Sequence, residues 1–442
     1  MRSYRTLLRT PEFTPFLLSF AVSAAAQTIG GLALGTLVFR ATGSPLLTAI
    51  SMFGPHLAQL LGGAFLLSGA DRLPPRAVLT GLCLVFAAGT AVQAVPGLPM
   101  GAVFAVVLLQ GLVSSLGAGA RGGLLTELLP RGGYVLGRSV YNMLWGLTQM
   151  GGFATGGALL TLLSPRQCLL LASALYLVAA VVTRLGLTAR PARTTGRPSA
   201  AASRRANAVL WSSRPRRLTY LALWVPNGLV VGGNSLYIAY APGAAGPLYA
   251  CGALGMFLGD LLVGRLIPPG PRRRLLIPLR LLLAAPYLLF FLEPGVAVAA
   301  VAVTVSSVGF AAGLILQERL MAHTPDGLAG QALGLHSTGM AALQGLCAVV
   351  AGGVAQLVAP ATAMTAMAVA SVAVTLSLAA LSRGLSGGPT TEPERGAIPV
   401  PGPTPEPGSA PGPAPVPESP APGPASDAPA SDGVPPAPPA RT

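Results

Sequence analysis

The 442-residue chain contains no lysine, only three histidines and few charged residues of any kind. Charged side chains make up 9% of the sequence, whereas a soluble domain carries roughly 25%. Hydrophobic residues make up 52%. So few charges cannot cover the surface of a soluble protein of this length. The composition therefore predicts a membrane protein and argues against a string of soluble domains.

The basic excess consists entirely of 28 arginines, which give a formal net charge of +15. These arginines lie between long apolar segments instead of along one helix face. Such a distribution is typical of charges that orient a membrane protein, and it does not predict a nucleic-acid partner.

Cysteine and histidine are too few and too scattered to predict chemistry. The four cysteines lie in separate apolar segments without paired spacing, which disfavours disulfides and metal binding. The sequence contains no His-x-x-Glu-His, Gly-x-Ser-x-Gly or Walker-type motif. We therefore expect no catalytic residue, metal or cofactor, and we expect that the protein is not an enzyme.

Twelve apolar segments are long enough to cross a bilayer, which takes about 20 residues. They predict an all-α integral membrane fold with six helices on each side of a polar, basic stretch. The predicted helices are Phe16–Phe39, Pro45–Gly69, Ala77–Val95, Pro99–Ala120, Val140–Leu163, Gln167–Leu187, Leu218–Ala241, Pro247–Ile267, Leu275–Leu292, Val296–Leu316, Gln331–Val358 and Ala361–Leu381.

These segments divide the chain into four parts: a first half, 1–187, a basic central loop, 188–217, a second half, 218–383, and a tail, 384–442. If the N-terminus is cytoplasmic, the outward-facing connections contain only two arginines, Arg40 and Arg166. The positive-inside rule therefore predicts cytoplasmic termini in a multi-pass protein of the plasma membrane.

The tail contains 19 of the 43 prolines and lacks apolar periodicity. Such a segment cannot bury a core, so we expect it to be disordered with a bias to polyproline II. Two interpretations of the tail stay open: a docking site for an adaptor domain, or a low-complexity extension without a role.

Landmarks recur between the two halves at a nearly constant offset of 192 to 195 residues. This regularity favours a parallel duplication of a six-helix unit. The pairs are Arg72-Leu73 with Arg265-Leu266, Pro75 with Pro268, Ser114-Ser115 with Ser306-Ser307, Pro130 with Pro325, and Gln149 with Gln344.

The connection after the second helix, Gly69–Arg76, resembles the signature of the major facilitator superfamily. Asp71, Arg72 and Arg76 match that signature in position, whereas Leu67 and Pro74 replace its glycines. The segments Thr10–Phe13, Val38–Pro45 and Ala120–Arg131 are similar to the enterobactin-exporter-like and multidrug efflux branch of actinobacteria. The fifth helix keeps the glycines of antiporters at Gly151–Gly157 but lacks their proline.

This resemblance, which covers the chain to about Arg383, implies a monomeric secondary transporter that works by alternating access. It also implies proton-coupled efflux of a drug-like compound or secondary metabolite, with the proton gradient as energy source. Two alternatives stay open: import of a small metabolite, and a non-transporting scaffold or receptor that acts through the Pro-rich tail.

Charged residues at the cytoplasmic helix ends predict a gate. A carboxylate with flanking arginines can hold a neighbouring helix terminus through charge–dipole contacts and hydrogen bonds, although a solvated orienting loop is the alternative. Asp260 lies inside a helix and needs a partner, for which Arg280 and Arg138 are candidates, or a proton. The candidate gate residues are Asp71, Arg72, Arg76, Arg138, Asp260 and Arg265.

Polar side chains inside the predicted helices are candidates for the lining of a substrate cavity, because they are costly in lipid. Hydrogen bonding between neighbouring helices is the alternative for each of them. Asp260 and His56 are also candidates for carrying the coupling proton. The cavity candidates are Gln27, His56, Gln59, Gln110, Asn142, Trp145, Gln149, Trp224, Asn227, Asn234, Tyr237 and Gln344.

Overall fold

The computed structural model describes residues 10–70, 73–129, 134–191, 200–325 and 328–383. The described residues form sixteen α-helices in chain order. They are α1 Phe13–Thr42, α2 Pro45–Ala70, α3 Pro75–Gln93, α4 Met100–Leu128, α5 Tyr134–Leu162, α6 Pro165–Gly186, α7 Ala200–Ser212, α8 Arg214–Asn234, α9 Tyr237–Tyr240, α10 Ala245–Leu261, α11 Pro269–Arg272, α12 Leu276–Ala284, α13 Val296–Val308, α14 Ala312–Ala322, α15 Ala329–Val354 and α16 Pro360–Arg383.

Each of the twelve predicted segments overlaps a helical part of the chain. Eight described helices are long and apolar enough to cross a membrane by length and composition. A further apolar helical segment, Leu276–Leu292, falls short of that length. The prediction of an all-helical membrane protein is therefore confirmed, whereas the count of twelve spans stays a prediction and the tail lies outside the described residues.

Local sequence sets several helix boundaries. Pro75 and Pro165 stand in the first turns of α3 and α6, where proline costs no hydrogen bond. Ser164 caps α6 in a capping box with Gln167. Gly43 ends α1 with a φ of 64°, a left-handed conformation that glycine adopts without strain.

Two regions depart from the predicted boundaries. The stretch predicted as a basic loop contains α7, and α8 already begins at Arg214. Alanine, the strongest helix former, begins α7 and favours helix there despite the neighbouring charges. The predicted seventh helix is also interrupted after Asn234, and the short helix α9 follows it.

The helices pack in a pattern that repeats along the chain. We call α1–α6 the first helix group and α8–α16 the second. In the first group α1 packs on α6 and α2 on α4, as α8 packs on α16 and α10 on α13 in the second. The contacts between the groups repeat too, because α2 meets α15 and α5 meets α10. A parallel duplication predicts this repetition.

We name the two ends of the helix bundle by the helices that begin or end there. The terminal end is the one at which α1 begins and α6 and α16 end. The far end is the one at which α1 ends and α6 begins. One apolar cluster at the terminal end belongs to the first group and includes Phe13, Val78 and Leu125. Another belongs to the second group and includes Tyr220 and Leu316. The largest cluster lies toward the far end and draws on both groups.

Candidate functional site

Five polar or aromatic side chains of the second helix group form a set that we call the central amide cluster. The Gln344 side-chain nitrogen donates to the Asn227 side-chain oxygen over 2.9 Å. The Trp224 indole nitrogen donates to Nδ1 of His336 over 3.2 Å, and His336 Nε2 lies 3.5 Å from the Gln317 side-chain nitrogen. Helices α8, α14 and α15 therefore direct amide, imidazole and indole groups toward one another.

Spacing along the helices explains how these side chains meet. Trp224 and Asn227 are three residues apart on α8, and His336 and Gln344 are eight apart, or about two turns, on α15. Gly339 lets α15 approach the indole, because a Cβ there would lie 2.4 Å from the Trp224 ring. His336 was missed as a site residue, although its spacing from Gln344 was a usable signal.

The central amide cluster has an aromatic border and an adjoining cavity. The Trp224 ring stacks on the Trp211 ring of α7, with centroids 5.7 Å apart and planes at 16°. A cavity of about 130 Å³ is lined by Asn227, Gln317 and Met340, among other residues. Amide groups beside aromatic faces suit a ligand with both apolar and polar parts.

In the first helix group, polar side chains that are candidates for the substrate cavity lie on α1 and α5. The Thr28 hydroxyl donates to the Gln149 side-chain oxygen over 2.8 Å. Gln27 is exposed, and a Cβ built at Gly31, one turn further along α1, would meet nothing within 4 Å. This part of α1 therefore borders open space.

Two further cavity candidates of the first group, Asn142 and Trp145, lie on α5, but their side chains are outside the described residues. His56 and Gln59 lie on α2 beside Pro55, which interrupts the hydrogen-bond pattern of that helix. Nδ1 of His56 is buried and has no hydrogen-bond partner among the described residues. In the part of the chain that the structure describes, His56 therefore has one buried ring nitrogen that is not hydrogen-bonded.

Gln110 has structural partners. Its side-chain nitrogen contacts the Phe86 carbonyl oxygen at 3.2 Å and the Thr90 hydroxyl at 3.4 Å, and its oxygen accepts from Gln93 at 3.2 Å. These contacts join α3 and α4 within the first group. They correspond to the alternative interpretation of Gln110, a hydrogen bond between neighbouring helices.

Asn234 and Tyr237 also lie in a network of buried side chains. The Asn234 side-chain oxygen accepts hydrogen bonds from the hydroxyls of Tyr237 and Tyr287, which contact each other as well. The Tyr249 hydroxyl donates to the Asn234 carbonyl oxygen over 3.0 Å. This network stabilises the chain where α8 gives way to α9, and it belongs to the largest apolar cluster.

The predicted gate is described only in part. Asp71 and Arg72 lie outside the described residues, as does the side chain of Arg138. Arg76 is half-buried at the start of α3, and Arg265 is exposed in the π-helical turn that follows α10. The gate therefore stays a prediction.

The structure does not join Asp260 to Arg280, one of its two candidate partners. Asp260 is exposed, and the ion pairs among the described residues are made by Arg190. The two side chains do not meet because Asp260 is exposed on α10, whereas Arg280 is buried on α12 inside the second helix group. The expected ion pair is thus not formed in this conformation.

A charged contact that the sequence did not reveal closes the terminal end of the first group. The Arg190 guanidinium donates to both carboxylate oxygens of Glu12, over 2.9 and 3.1 Å. The Thr188 backbone nitrogen and hydroxyl donate to the same carboxylate. Arg190 also lies 3.9 Å from Glu127. These residues are far apart in sequence, so no local pattern could predict their contact.

The environment of Glu12 changes its acidity. Burial of the carboxylate raises its pKa, but the hydrogen bonds from Thr188 and Arg190 and the positive charge of Arg190 outweigh that effect. The pKa of Glu12 is consequently lowered from its ordinary value.

The two helix groups touch closely toward the far end. A Cβ at Gly157 on α5 would lie 2.2 Å from the carbonyl oxygen of Gly246 on α10, and one at Gly246 would lie 2.3 Å from the carbonyl oxygen of Gly157. The Phe153 and Tyr249 rings stack across the same interface at 5.4 Å. Small residues of this kind let two helix backbones come together in a membrane.

A second contact of the same kind joins α15 to α2. A Cβ at Gly352 would lie 2.8 Å from Cα of Leu46. In the adjoining loops, the Gln356 side-chain nitrogen donates to the Ser44 hydroxyl over 2.5 Å. Glycines on both sides of the molecule therefore hold the groups together at the far end.

The family model described as Major Facilitator Superfamily matches residues 16–346. The chain therefore belongs to this superfamily and is a multi-pass membrane transporter rather than an enzyme. The comparison with proteins of curated function finds no match.

Solved structures of other transporters share the fold, and three of them are compared with this chain below. The nucleoside transporter NupG superposes with a TM-score of 0.65 at 14% identity, covering 84% of this chain and 99% of NupG. A bacterial homolog of the human lysosomal transporter Spinster, in an inward-facing and occupied conformation, gives 0.64 at 13% identity, covering 87% and 98%. A POT family transporter in complex with a thioalcohol-conjugated peptide gives 0.62 at 12% identity, covering 84% and 96%.

Proposed function

We propose that the protein exports a small organic molecule, either a drug-like compound or a secondary metabolite, by proton-coupled alternating access in the plasma membrane. Close packing between the helix groups toward the far end, through Gly157 with Gly246 and Gly352 with Leu46, is the observation that carries this proposal. At the terminal end the apolar clusters around Phe13 and Tyr220 each belong to one group.

The distribution of arginines supports the orientation. It favours a cytoplasmic terminal end, and hence cytoplasmic termini. In that orientation the close contacts at the far end would close the outer side, and the proposed path to the cytoplasm would begin at Gln27 and the central amide cluster. An exporter loads its substrate in this state. The similar Spinster homolog is also inward-facing in its solved structure.

The polar lining supports a ligand of mixed character. Gln27 and Gln149 in the first group and Asn227 and Gln344 in the second can donate and accept hydrogen bonds, while Trp224 offers an apolar face. We assign Asp71, Arg72, Arg76, Arg138, Asp260 and Arg265 to the gate at the cytoplasmic side, and Asp260 or His56 to proton coupling. The protein acts as a monomer, and its Pro-rich tail could engage an adaptor.

A reversible cross-link tests this mechanism. In a background without the four native cysteines, Ser44→Cys and Gln356→Cys create a disulfide that locks the far end. The matched control is Ser19→Cys with Thr183→Cys, whose hydroxyls lie 2.5 Å apart within the first group. Proteoliposomes with an imposed pH gradient are screened against a panel of drug-like compounds.

We expect gradient-driven movement of at least one compound, its loss when the far end is oxidised, and its recovery with reductant. The control disulfide should leave transport unchanged. Transport that continues with the far end locked would contradict alternating access. Movement of the compound that does not depend on the pH gradient would contradict proton coupling. Accumulation of the compound only in the import direction would favour an importer.

A further inference from the structure

A cavity of about 300 Å³ lies inside the second helix group, next to the smaller cavity of the central amide cluster, with which it shares Ala222, Arg280 and Leu316. It is formed by the terminal-end parts of α8, α12, α14 and α16. Much of its wall is apolar, with Leu218, Ile277 and Leu378 among the lining residues. Arg274 and Arg319 also line it, and both are exposed.

Arg280 on α12 lines this cavity. The residue is 6% exposed, and its buried Nη2 has no hydrogen-bond partner among the residues that the structure describes. The guanidinium forms no ion pair with any residue that the structure describes. A buried, permanently charged arginine is strongly unfavourable unless an anion or several acceptors compensate it.

A second buried arginine, Arg216, shows how this fold satisfies such a group. Arg216 is 8% exposed, and its guanidinium donates to the carbonyl oxygens of Leu210, His323 and Val209 over 2.7 to 3.1 Å. Within the described part of the chain, Arg280 has no comparable set of acceptors. Of these two buried arginines, the one that lines the cavity is therefore the one left without compensation there.

Thr375 on α16 provides a second free polar group in the same cavity. Its residue is 1% exposed, and its hydroxyl has no hydrogen-bond partner among the described residues. The cavity therefore combines a guanidinium, a free hydroxyl and two flanking arginines. Acidic side chains do not occur among its lining residues in the part of the chain that the structure describes.

We propose that this cavity binds the phosphate group of an anionic phospholipid, with Arg280 and Thr375 as direct ligands of the phosphate. A phosphate oxygen matches the donor fork of arginine. Arg280 lies four residues, or about 6 Å, beyond the start of α12, which is within reach of a lipid headgroup. The apolar wall suits an acyl chain, and basic pockets between spanning helices are known to hold anionic headgroups.

The test uses the full-length protein in detergent and measures lipid binding in two ways. Native mass spectrometry counts bound phosphatidylglycerol and phosphatidylcholine. Thermal unfolding is followed during titration with each lipid and with glycerol phosphate, a soluble phosphate ester without acyl chains. The variants are Arg280→Met, Arg280→Lys and Thr375→Val, and the matched control is Arg184→Met, an exposed arginine at the terminal end of the first group.

We expect the wild type to bind phosphatidylglycerol at least about tenfold more tightly than phosphatidylcholine. Arg280→Met should lose this preference while remaining folded, because it removes a buried charge. Arg280→Lys and Thr375→Val should weaken it, and Arg184→Met should preserve it. If Arg280→Met does not fold, Thr375→Val and the lipid count of the wild type decide the question.

Equal binding of both lipids by the wild type would overturn the proposal. So would an unchanged preference in both Arg280→Met and Thr375→Val. Stabilisation by glycerol phosphate as strong as that by phosphatidylglycerol, lost in Arg280→Met, would support the phosphate site but overturn the lipid as its source. None of these readouts depends on transport.

Discussion

At the far end the helix groups meet through glycine and apolar side chains, whereas the terminal end is rich in charge. Gly157 and Gly246 bring two backbones into contact, and the Gln356–Ser44 hydrogen bond adds a neutral link. At the terminal end, the Glu12 carboxylate accepts hydrogen bonds from the Arg190 guanidinium and the Thr188 backbone nitrogen, in an ionised contact between the first group and the chain that follows it.

This difference suits the two tasks of a transporter of this superfamily. Neutral contacts between small residues can separate without leaving a charge unpaired, so the far end can open at modest cost. Charged contacts within one group would keep that group rigid during the rotation that alternating access requires. The contact between the groups at the far end would then form and break during transport. The contacts at the terminal end would hold each group together as a rigid body.

The largest effect is expected from Gly246→Ala. The added methyl group would lie 2.3 Å from the carbonyl oxygen of Gly157, which is backbone and cannot rotate away. Over-packing of this kind costs about 1–3 kcal/mol, which corresponds to about a 5- to 150-fold shift away from the closed far end. Labelling of a cysteine introduced by Gly31→Cys, with an impermeant maleimide from the far-end side, should increase accordingly.

Gly353→Ala provides the control for that prediction. Gly353 lies on α15 near the same end, but a Cβ there would meet nothing within 4 Å. Labelling in Gly353→Ala should equal that of the parent protein. Equal labelling in Gly246→Ala as well would mean that the close backbone contact does not hold the far end closed.

A smaller, few-fold effect is expected from Asp260→Asn in the predicted gate. Because Asp260 is exposed in this conformation, its carboxylate is free to engage a partner when the terminal end closes. Loss of the charge should favour the open terminal end and slow transport several-fold, while the dependence on a pH gradient remains. Gradient-driven and counterflow assays in proteoliposomes measure both quantities.

Glu293→Gln, which removes an exposed carboxylate at the far end, should change neither quantity. If Asp260→Asn abolishes gradient-driven transport but spares counterflow, Asp260 carries the coupling proton instead of closing the gate. Unchanged behaviour in both assays would remove Asp260 from both roles.

A still smaller effect, about 1 kcal/mol in the free energy of unfolding, is expected from Glu12→Gln. The lowered pKa of Glu12 means that its stabilisation is complete above the ordinary glutamate pKa of about 4.3 and disappears as pH falls through the lower value in the folded protein. Thermal unfolding of both proteins should therefore differ at pH 7 and converge in acid.

The exposed Glu318, on α14 at the same end, is the control for Glu12. Glu318→Gln should unfold like the wild type at pH 7. A constant difference between Glu12→Gln and wild type down to pH 3 would show that the contact with Arg190 does not depend on the carboxylate charge.

No effect on transport is expected from truncation after Arg383. The removed residues are rich in proline, alanine and glycine and lack apolar periodicity, so their loss should expose no apolar surface. Membrane insertion and uptake by the truncated protein should match those of the full chain. Loss of transport by a normally inserted truncation would favour the scaffold or adaptor interpretation of the tail.

The positions of the helices could be predicted from the sequence, whereas most contacts between the helices could not. Length and hydropathy locate a spanning helix, and spacing shows which residues share one of its faces. Spacing does not show which helix lies opposite, so the pairing of Gln110 with Gln93, or of Trp224 with His336, could not be derived. The contact of Glu12 with Arg190 joins residues 178 positions apart and had no local signal.

The central claim is that opening of the terminal end depends on closure of the far end. Single-molecule energy transfer between ketone-bearing unnatural amino acids at Leu73 and Leu266, both exposed, reports the width of the terminal end. In the background without native cysteines, the far end is locked or released by oxidising or reducing the pair Ser44→Cys and Gln356→Cys. We predict two distances in the reduced protein and only the longer one after oxidation. The same distribution in both states, or a shift to the shorter distance on oxidation, would contradict the account.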